Sequence, residues 1–147
     1  MAWELALASD GSPCALHAAD WVRRHFDRQN TVIKVITVED MMYRSAYAGY
    51  VTGYDATAPL AHELPWSEAA VEQTKKHLQG FLVQSAVRQG DPVREILAVV
   101  RQDAPDLLVV GHRGLHGLTG MLMGSVAKAL VHYSPVPVLV IPQDARD

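Results

Sequence analysis

One cysteine, Cys14, in 147 residues excludes an internal disulfide and suits a reducing compartment. The opening Met1-Ala2-Trp3-Glu4 has no basic stretch followed by an apolar one, so no secretory leader is expected. No apolar run approaches the roughly 20 residues that span a bilayer, so no membrane insertion is expected. These absences together predict a cytoplasmic protein. Positive charge is not in excess either. Lys and Arg number 13 against 16 Asp and Glu, giving a net charge of −3 with the signs mixed along the chain. Nucleic-acid binders usually need a basic surface, so nucleic acid is not expected as a partner. Hydrophobic residues at 49% and charged residues at 20% describe an ordinary globular chain. Its length predicts one domain over 1–147, large enough to bury a core without disulfides or metal.

Strand-like and helix-like segments alternate. "WELALAS" is a short apolar run that stops at Asp10-Gly11. Ser12 then has the character of an N-cap, and Pro13 stands at the first helical position, where its missing N–H costs nothing. Ala15, Ala18, Ala19, Val22 and Phe26 follow at helical spacing. "TVIKVITV" (Thr31 to Val38) is β-branched and bounded by polar residues, as a strand is. Residues 66 to 80 read as a helix with Val71, Thr74 and Leu78 inward. "FLVQSAVRQG" holds a third, less apolar strand, and Asp91-Pro92 repeats the capping signal ahead of Val93, Ile96, Leu97 and Val100. "DLLVVG" (Asp106 to Gly111) is the continuous apolar run of a strand covered on both faces. Val126, Ala129, Leu130 and Tyr133 mark a fourth helix, Ser134-Pro135 stops it, and "VPVLVI" is a fifth strand. Five strands alternating with four helices predict an α/β fold, a doubly wound parallel sheet with helices on both faces. Residues 39 to 65, rich in Gly, Ala, Tyr and Thr, break the rhythm. A connection that long is usually functional or disordered. Tyr43, Tyr47, Tyr50 and Tyr54 would share a helical face, but Gly49, Thr52 and Gly53 disfavour a helix there, and a loop with surface tyrosines is the plainer expectation.

The stretch "GHRGLHGLTGMLMGSVAKAL" carries the chemistry. Gly111 ends a buried strand; Gly114, Gly117, Gly120 and Gly124 follow, and Ser125 opens a helix. Ligands of open α/β sheets bind at the carboxyl ends of the strands. A glycine-rich turn lets backbone N–H groups approach an anion, and the helix N-terminus adds unpaired donors and a favourable dipole. Arg113 adds positive charge, with His112 and His116 doing so when protonated. An anion site, phosphate above all, follows. A Walker loop is excluded because no Lys precedes Ser125. The dinucleotide fingerprint is excluded because it normally follows the first strand of its unit. His112 and His116 have no Cys or acidic cluster beside them, so no metal site is assigned.

The spacing Gly111-x2-Gly114-x9-Gly124-Ser125 resembles the ATP-binding signature of the universal stress protein family. "SDGS" after the first strand, "GDPVREIL" after the third and the element order extend the resemblance over the whole chain. It implies an adenine nucleotide alpha hydrolase-like sheet with strand order 3-2-1-4-5. It also implies that Gly111 and Gly114 wrap the ribose and phosphates, while Gly124, Ser125 and the N–H of Val126 hold the phosphate chain, with His112 and Arg113 in the same loop. Ala8, Ser9 and Asp10 would line the nucleoside side, and Val38 would lie against the adenine. The implied cofactor is ATP, with Mg²⁺ or Mn²⁺, and the implied assembly a homodimer through strand five, Pro137 to Ile141. The 39–65 segment varies within the family and inherits nothing.

Plainer roles stand beside these. Asp10 could cap the first helix or the turn at Gly11, and Val38 could be core. Cys14 reads as a small packed residue. The resemblance implies a nucleotide-dependent switch in stress response, with the protein partner open. A slow ATPase, an AMP or cyclic-nucleotide sensor and a nucleotide-free dimeric adaptor are the alternatives. No catalytic residue is assigned, because no general base or water-positioning group stands out.

Overall fold

In a computed structural model of the chain, residues 2–40, 66–114 and 123–143 are described. Five parallel strands form one sheet in the order β3-β2-β1-β4-β5: β1 (Trp3–Ala8), β2 (Thr31–Glu39), β3 (Leu82–Gln89), β4 (Leu107–Gly111) and β5 (Val138–Ile141). Between them run α1 (Pro13–His25), α2 (Trp66–His77), α3 (Pro92–Asp103) and α4 (Ser125–Tyr133). The doubly wound sheet and its strand order agree with expectation.

Alternation along the strands builds two cores. Ala6, Ala8, Ile36, Val38, Leu108 and Val110 face Ile96, Leu97, Val99 and Val100 of α3 and Ala127 and Leu130 of α4. Leu5, Leu7, Ile33, Val35, Val109 and Ile141 face Ala18, Ala19 and Val22 of α1 and Leu78 beyond α2. β1 is the switch point. The first two crossovers step from β1 outward to β3, and the third returns across the sheet to β4. Right-handed connections then place the two helix pairs on opposite faces.

The capping signals behave as read. Ser12 Oγ accepts the Ala15 N–H at 3.3 Å, and Asp91 Oδ2 accepts the Arg94 N–H at 2.9 Å. Each is followed by Pro at the helix start. α3 ends in Ala104, whose φ of 46° is left-handed.

Two expectations are corrected. β2 continues to Glu39, which pairs with Gln89, so the connection begins after the strand rather than at residue 39. α2 stops at His77 instead of 80, because Gly80, with φ of 92°, turns the chain into β3. The fourth helix runs to Tyr133 as expected, and Tyr133, its last residue, is 62% exposed. The tyrosines at 43, 47, 50 and 54 lie outside the described residues, as do His116, Gly117 and Gly120.

Candidate functional site

Strand ends and helix starts converge at the carboxyl edge of β1, β2 and β4, the place where open α/β sheets take ligands. The cleft there has an apolar wall of Ala8, Ile36, Val38 and Ile96 and a floor of Gly111. Its polar side brings together Asp10, Arg113, Gly114, Gly124, Ser125 and Val126, and Ser9 also borders it. Ten of the eleven residues singled out from sequence therefore meet in one place. His112 is the exception: it does not line the cleft. Its backbone instead ties the site together, the N–H donating to the Ile141 carbonyl at 2.9 Å and the carbonyl accepting the Gly124 N–H at 2.9 Å. That second bond joins the two ends of the glycine loop.

The two glycines at those ends have different reasons to be glycine. A Cβ on Gly111 would meet the Cys14 carbonyl oxygen at 2.9 Å, its carbon at 3.0 Å and the Ala15 nitrogen at 3.2 Å. The first turn of α1 thus packs on β4 backbone to backbone. Among the described residues a Cβ on Gly124 would meet nothing closer than 3.5 Å, and its φ of −63° and ψ of 157° suit any residue. Ser, Asn or Asp would cap α4 better. Without such a cap, α4 has no side-chain bond at its N-terminus, and its first-turn N–H groups have no intrahelical partner. The result is a set of donors opening on the cleft beside Arg113, an arrangement suited to an anion.

The other polar groups are held by neighbours. Asp10 Oδ1 accepts the Ser12 N–H at 2.9 Å, so Asp10 both borders the cleft and fixes the turn before α1. The Arg113 guanidinium donates to the Gln143 side chain. Its N–H donates to Cys14 Sγ at 3.3 Å, which gives the buried thiol a place beneath the loop. Ser9 points its hydroxyl the other way, toward Thr74 of α2. Alternation would have shown this, since Ala8 and Asp10 share one side of the strand and Ser9 takes the opposite one.

Sequence reasoning missed Ala15, Ile36, Pro92, Ile96 and Ala127, which also line the cleft. Ala15, Pro92 and Ala127 sit in helix first turns, and a doubly wound sheet brings such turns to this edge. A second cleft is larger, about 350 Å³ against about 90 Å³, and lies at the opposite, amino-terminal ends of the strands. It is lined by Leu82, Val32 and the Lys34–Asp103 ion pair and has no helix N-terminus. Donor chemistry, rather than volume, marks the carboxyl-end cleft as the candidate site. Among the described residues no group of three or more His, Cys, Asp or Glu could hold a metal ion. Among them, too, no helix is long and apolar enough to cross a membrane.

Comparison with known proteins bears on this geometry. The universal stress protein Rv1996 of Mycobacterium tuberculosis is 26% identical over 157 residues. The match takes in 97% of this chain and 49% of the relative, so the chain spans about half its length. The universal stress protein MJ0531 of Methanocaldococcus jannaschii is 26% identical over 98% of this chain and 84% of its own. Among solved structures, the hypothetical protein MJ0577 superposes with a TM-score of 0.75 at 21% identity, over 99% of both chains. A universal stress protein in complex with cAMP gives 0.62 at 20% identity, over 98% of this chain and 100% of that one. The Arabidopsis thaliana family protein At3g01520 with AMP bound gives 0.63 at 22% identity, over 97% and 93%. The family model described as "Universal stress protein family" matches residues 5–142, and the chain belongs to that family.

Proposed function

We propose that this chain is a single universal stress protein domain that binds an adenine nucleotide at the carboxyl edge of its sheet. Its nucleotide state would act as a switch in a cytoplasmic stress response. The observation that carries the proposal is Gly124. Among the described residues there is room for a side chain there, the backbone does not demand glycine, and a capping residue would be more stabilising. A Cβ there would stand in the way of a ligand at the α4 N-terminus, whose first-turn N–H groups fit a phosphate. Two solved structures similar in fold, one in complex with cAMP and one with AMP bound, support the adenine nucleotide class.

In this reading Gly114, Gly124, Ser125 and the Val126 N–H hold phosphates, with Arg113 supplying charge. Ala8, Ile36 and Val38 take the base, and Asp10 lies on the nucleoside side. ATP is the proposed ligand, accompanied by Mg²⁺ or Mn²⁺. When bound, the nucleotide supplies charge and a hydrolysable phosphate chain, and the residues on this edge bind and orient it. Hydrolysis would be slow at most, since no group is assigned as base. The AMP and cAMP complexes of relatives favour one second reading, a sensor of monophosphates in the same cleft. A homodimer through β5 completes the proposal. That strand is an edge with Val138, Leu139 and Val140 half-buried, and an apolar edge invites pairing.

Calorimetric titration of nucleotide-stripped protein with Mg-ATP, AMP and cAMP tests this reading. Micromolar ATP binding is expected. Tight AMP or cAMP binding with weak ATP binding would select the sensor, and no binding to any of the three would leave a nucleotide-free adaptor.

A further inference from the structure

The polar groups behind the cleft form a directed chain. The Thr74 hydroxyl of α2 donates to the Ala70 carbonyl at 2.7 Å. Its only proton is thereby used, so the 2.7 Å contact between Thr74 Oγ1 and Ser9 Oγ has Ser9 as donor. Ser9 Oγ in turn accepts the Gly11 N–H at 3.2 Å. The relay therefore runs from the Gly11 N–H through Ser9 and Thr74 to Ala70, every bond pointing the same way, an order in which neighbouring bonds strengthen one another. Ser9 is 5% exposed and Thr74 0%, so a broken member would leave a buried polar atom unpaired.

The rest of Ser9 is fixed as well. Its N–H donates to the Ile36 carbonyl at 2.9 Å, and its carbonyl accepts the Thr37 hydroxyl at 2.9 Å. The two ends of the relay also touch. A Cβ on Gly11, whose φ is 74°, would lie 2.9 Å from the Ala70 Cβ and 3.1 Å from its Cα. Helix α2 is seated on the turn as closely as a glycine permits. Between Ser9 and Gly11 stands Asp10, which faces the cleft.

We infer that Thr74 is a positioning residue for the cleft, acting through Ser9 to hold the turn that presents Asp10. The inference rests on the nucleotide-binding reading above. It makes α2 part of the site although no residue of that helix lines the cleft, and Ser9 serves the ligand through the turn rather than through its hydroxyl.

The test compares Thr74→Val, which keeps the shape and removes the acceptor, with Thr74→Ser, which keeps the relay. Ser9→Ala is the second variant, because Thr74 stays bonded to Ala70 in it and the fold is retained should Thr74→Val fail to fold. Ser67→Ala is the control. It removes another buried α2 hydroxyl, one bonded to Glu39 at 2.5 Å and not to the turn. Mg-ATP and AMP affinities are measured at a temperature where every variant is folded. Thr74→Val and Ser9→Ala should each weaken binding about tenfold. Thr74→Ser and Ser67→Ala should stay within about twofold of wild type, and the Ser9→Ala/Thr74→Val double variant should be no weaker than the worse single. Wild-type affinity in folded Thr74→Val and Ser9→Ala would overturn the role of Thr74 while leaving nucleotide binding intact. Wild-type protein that binds no nucleotide would overturn the binding reading and this role with it. Amide exchange of Gly11 without nucleotide separates the two. It should quicken in Thr74→Val and Ser9→Ala but not in Thr74→Ser, and unchanged exchange would remove the relay itself.

Discussion

Gly124→Ala and Gly111→Ala add the same methyl group to opposite ends of one loop, and their effects should separate cleanly. At Gly124 the new Cβ finds 3.5 Å to its nearest neighbours among the described residues, the Arg113 Cα and the His112 carbonyl oxygen. That is ordinary contact, so the stability cost is limited to a poorer N-cap, about 0.5–1 kcal/mol. For a chain of this size that lowers the melting temperature by roughly 1–4 °C. In the proposed complex the same methyl would stand over the α4 N-terminus, between a phosphate and its donors. Loss of one good charge-assisted contact, about 1.5–3 kcal/mol, weakens nucleotide binding at least tenfold. At Gly111 the Cβ would sit 2.9 Å from the Cys14 carbonyl oxygen, backbone that cannot yield without moving α1. Overpacking of that kind costs about 1–3 kcal/mol, a fall of roughly 3–10 °C. Thermal unfolding and calorimetric titration of both variants read the two axes. Folded Gly124→Ala with wild-type affinity for ATP, AMP and cAMP would refute the assignment of the loop. So would a Gly124→Ala melting temperature as low as that of Gly111→Ala, since the room found at that position would then be fictitious.

Ala104 closes α3 with a left-handed φ of 46°, a conformation that glycine adopts without a Cβ penalty. Ala104→Gly should therefore raise stability by about 0.5–1 kcal/mol in denaturant unfolding, and a loss would contradict the cap geometry. Lys34 pairs with Asp103 in the larger cleft at the amino ends of the strands, and each side chain is about one-third exposed, 30% and 29%. Lys34→Met should cost no more than about 1 kcal/mol and leave nucleotide affinity unchanged; weakened binding would move the site to that cleft. In solution the chain should scatter light as a particle of twice 16.1 kDa. Val138→Lys, which places a charge on the β5 edge, should give a folded monomer, and a persistent dimer would locate the interface elsewhere.

The fold was legible because its signals are local and repeated. Ser12-Pro13 and Asp91-Pro92 each announce a helix with a side chain that does cap it. The run Leu107–Gly111 is apolar throughout because both of its faces are covered. Errors fell at the ends of elements. Glu39 looks like the start of a loop, yet Gln89 across the ladder keeps it in β2. At the site, glycine spacing and strand-end position singled out the loop from Gly111 to Ser125, while Ala8, Ser9, Asp10, Val38 and Val126 came with the family resemblance. Thr74 could not be found that way. It is 65 residues from Ser9 in sequence, and its helical spacing marked it only as a residue of the inner face.

The glycine pattern itself mixes two demands that spacing alone does not separate. Gly111 is glycine because α1 lies against it, a requirement of the fold with or without a ligand. Gly11 is glycine because its φ is 74° and Ala70 sits on it, again a requirement of the fold. Among the described residues Gly124 answers to neither demand. A count of glycines mixes fold and ligand, so a chain could keep Gly11 and Gly111, fold well and bind nothing. The position that discriminates is the one where the helix takes a poorer cap and the described neighbours leave space. Here that position opens on the α4 N-terminus and on Arg113, so a methyl group at Gly124 tests the ligand and one at Gly111 tests the fold.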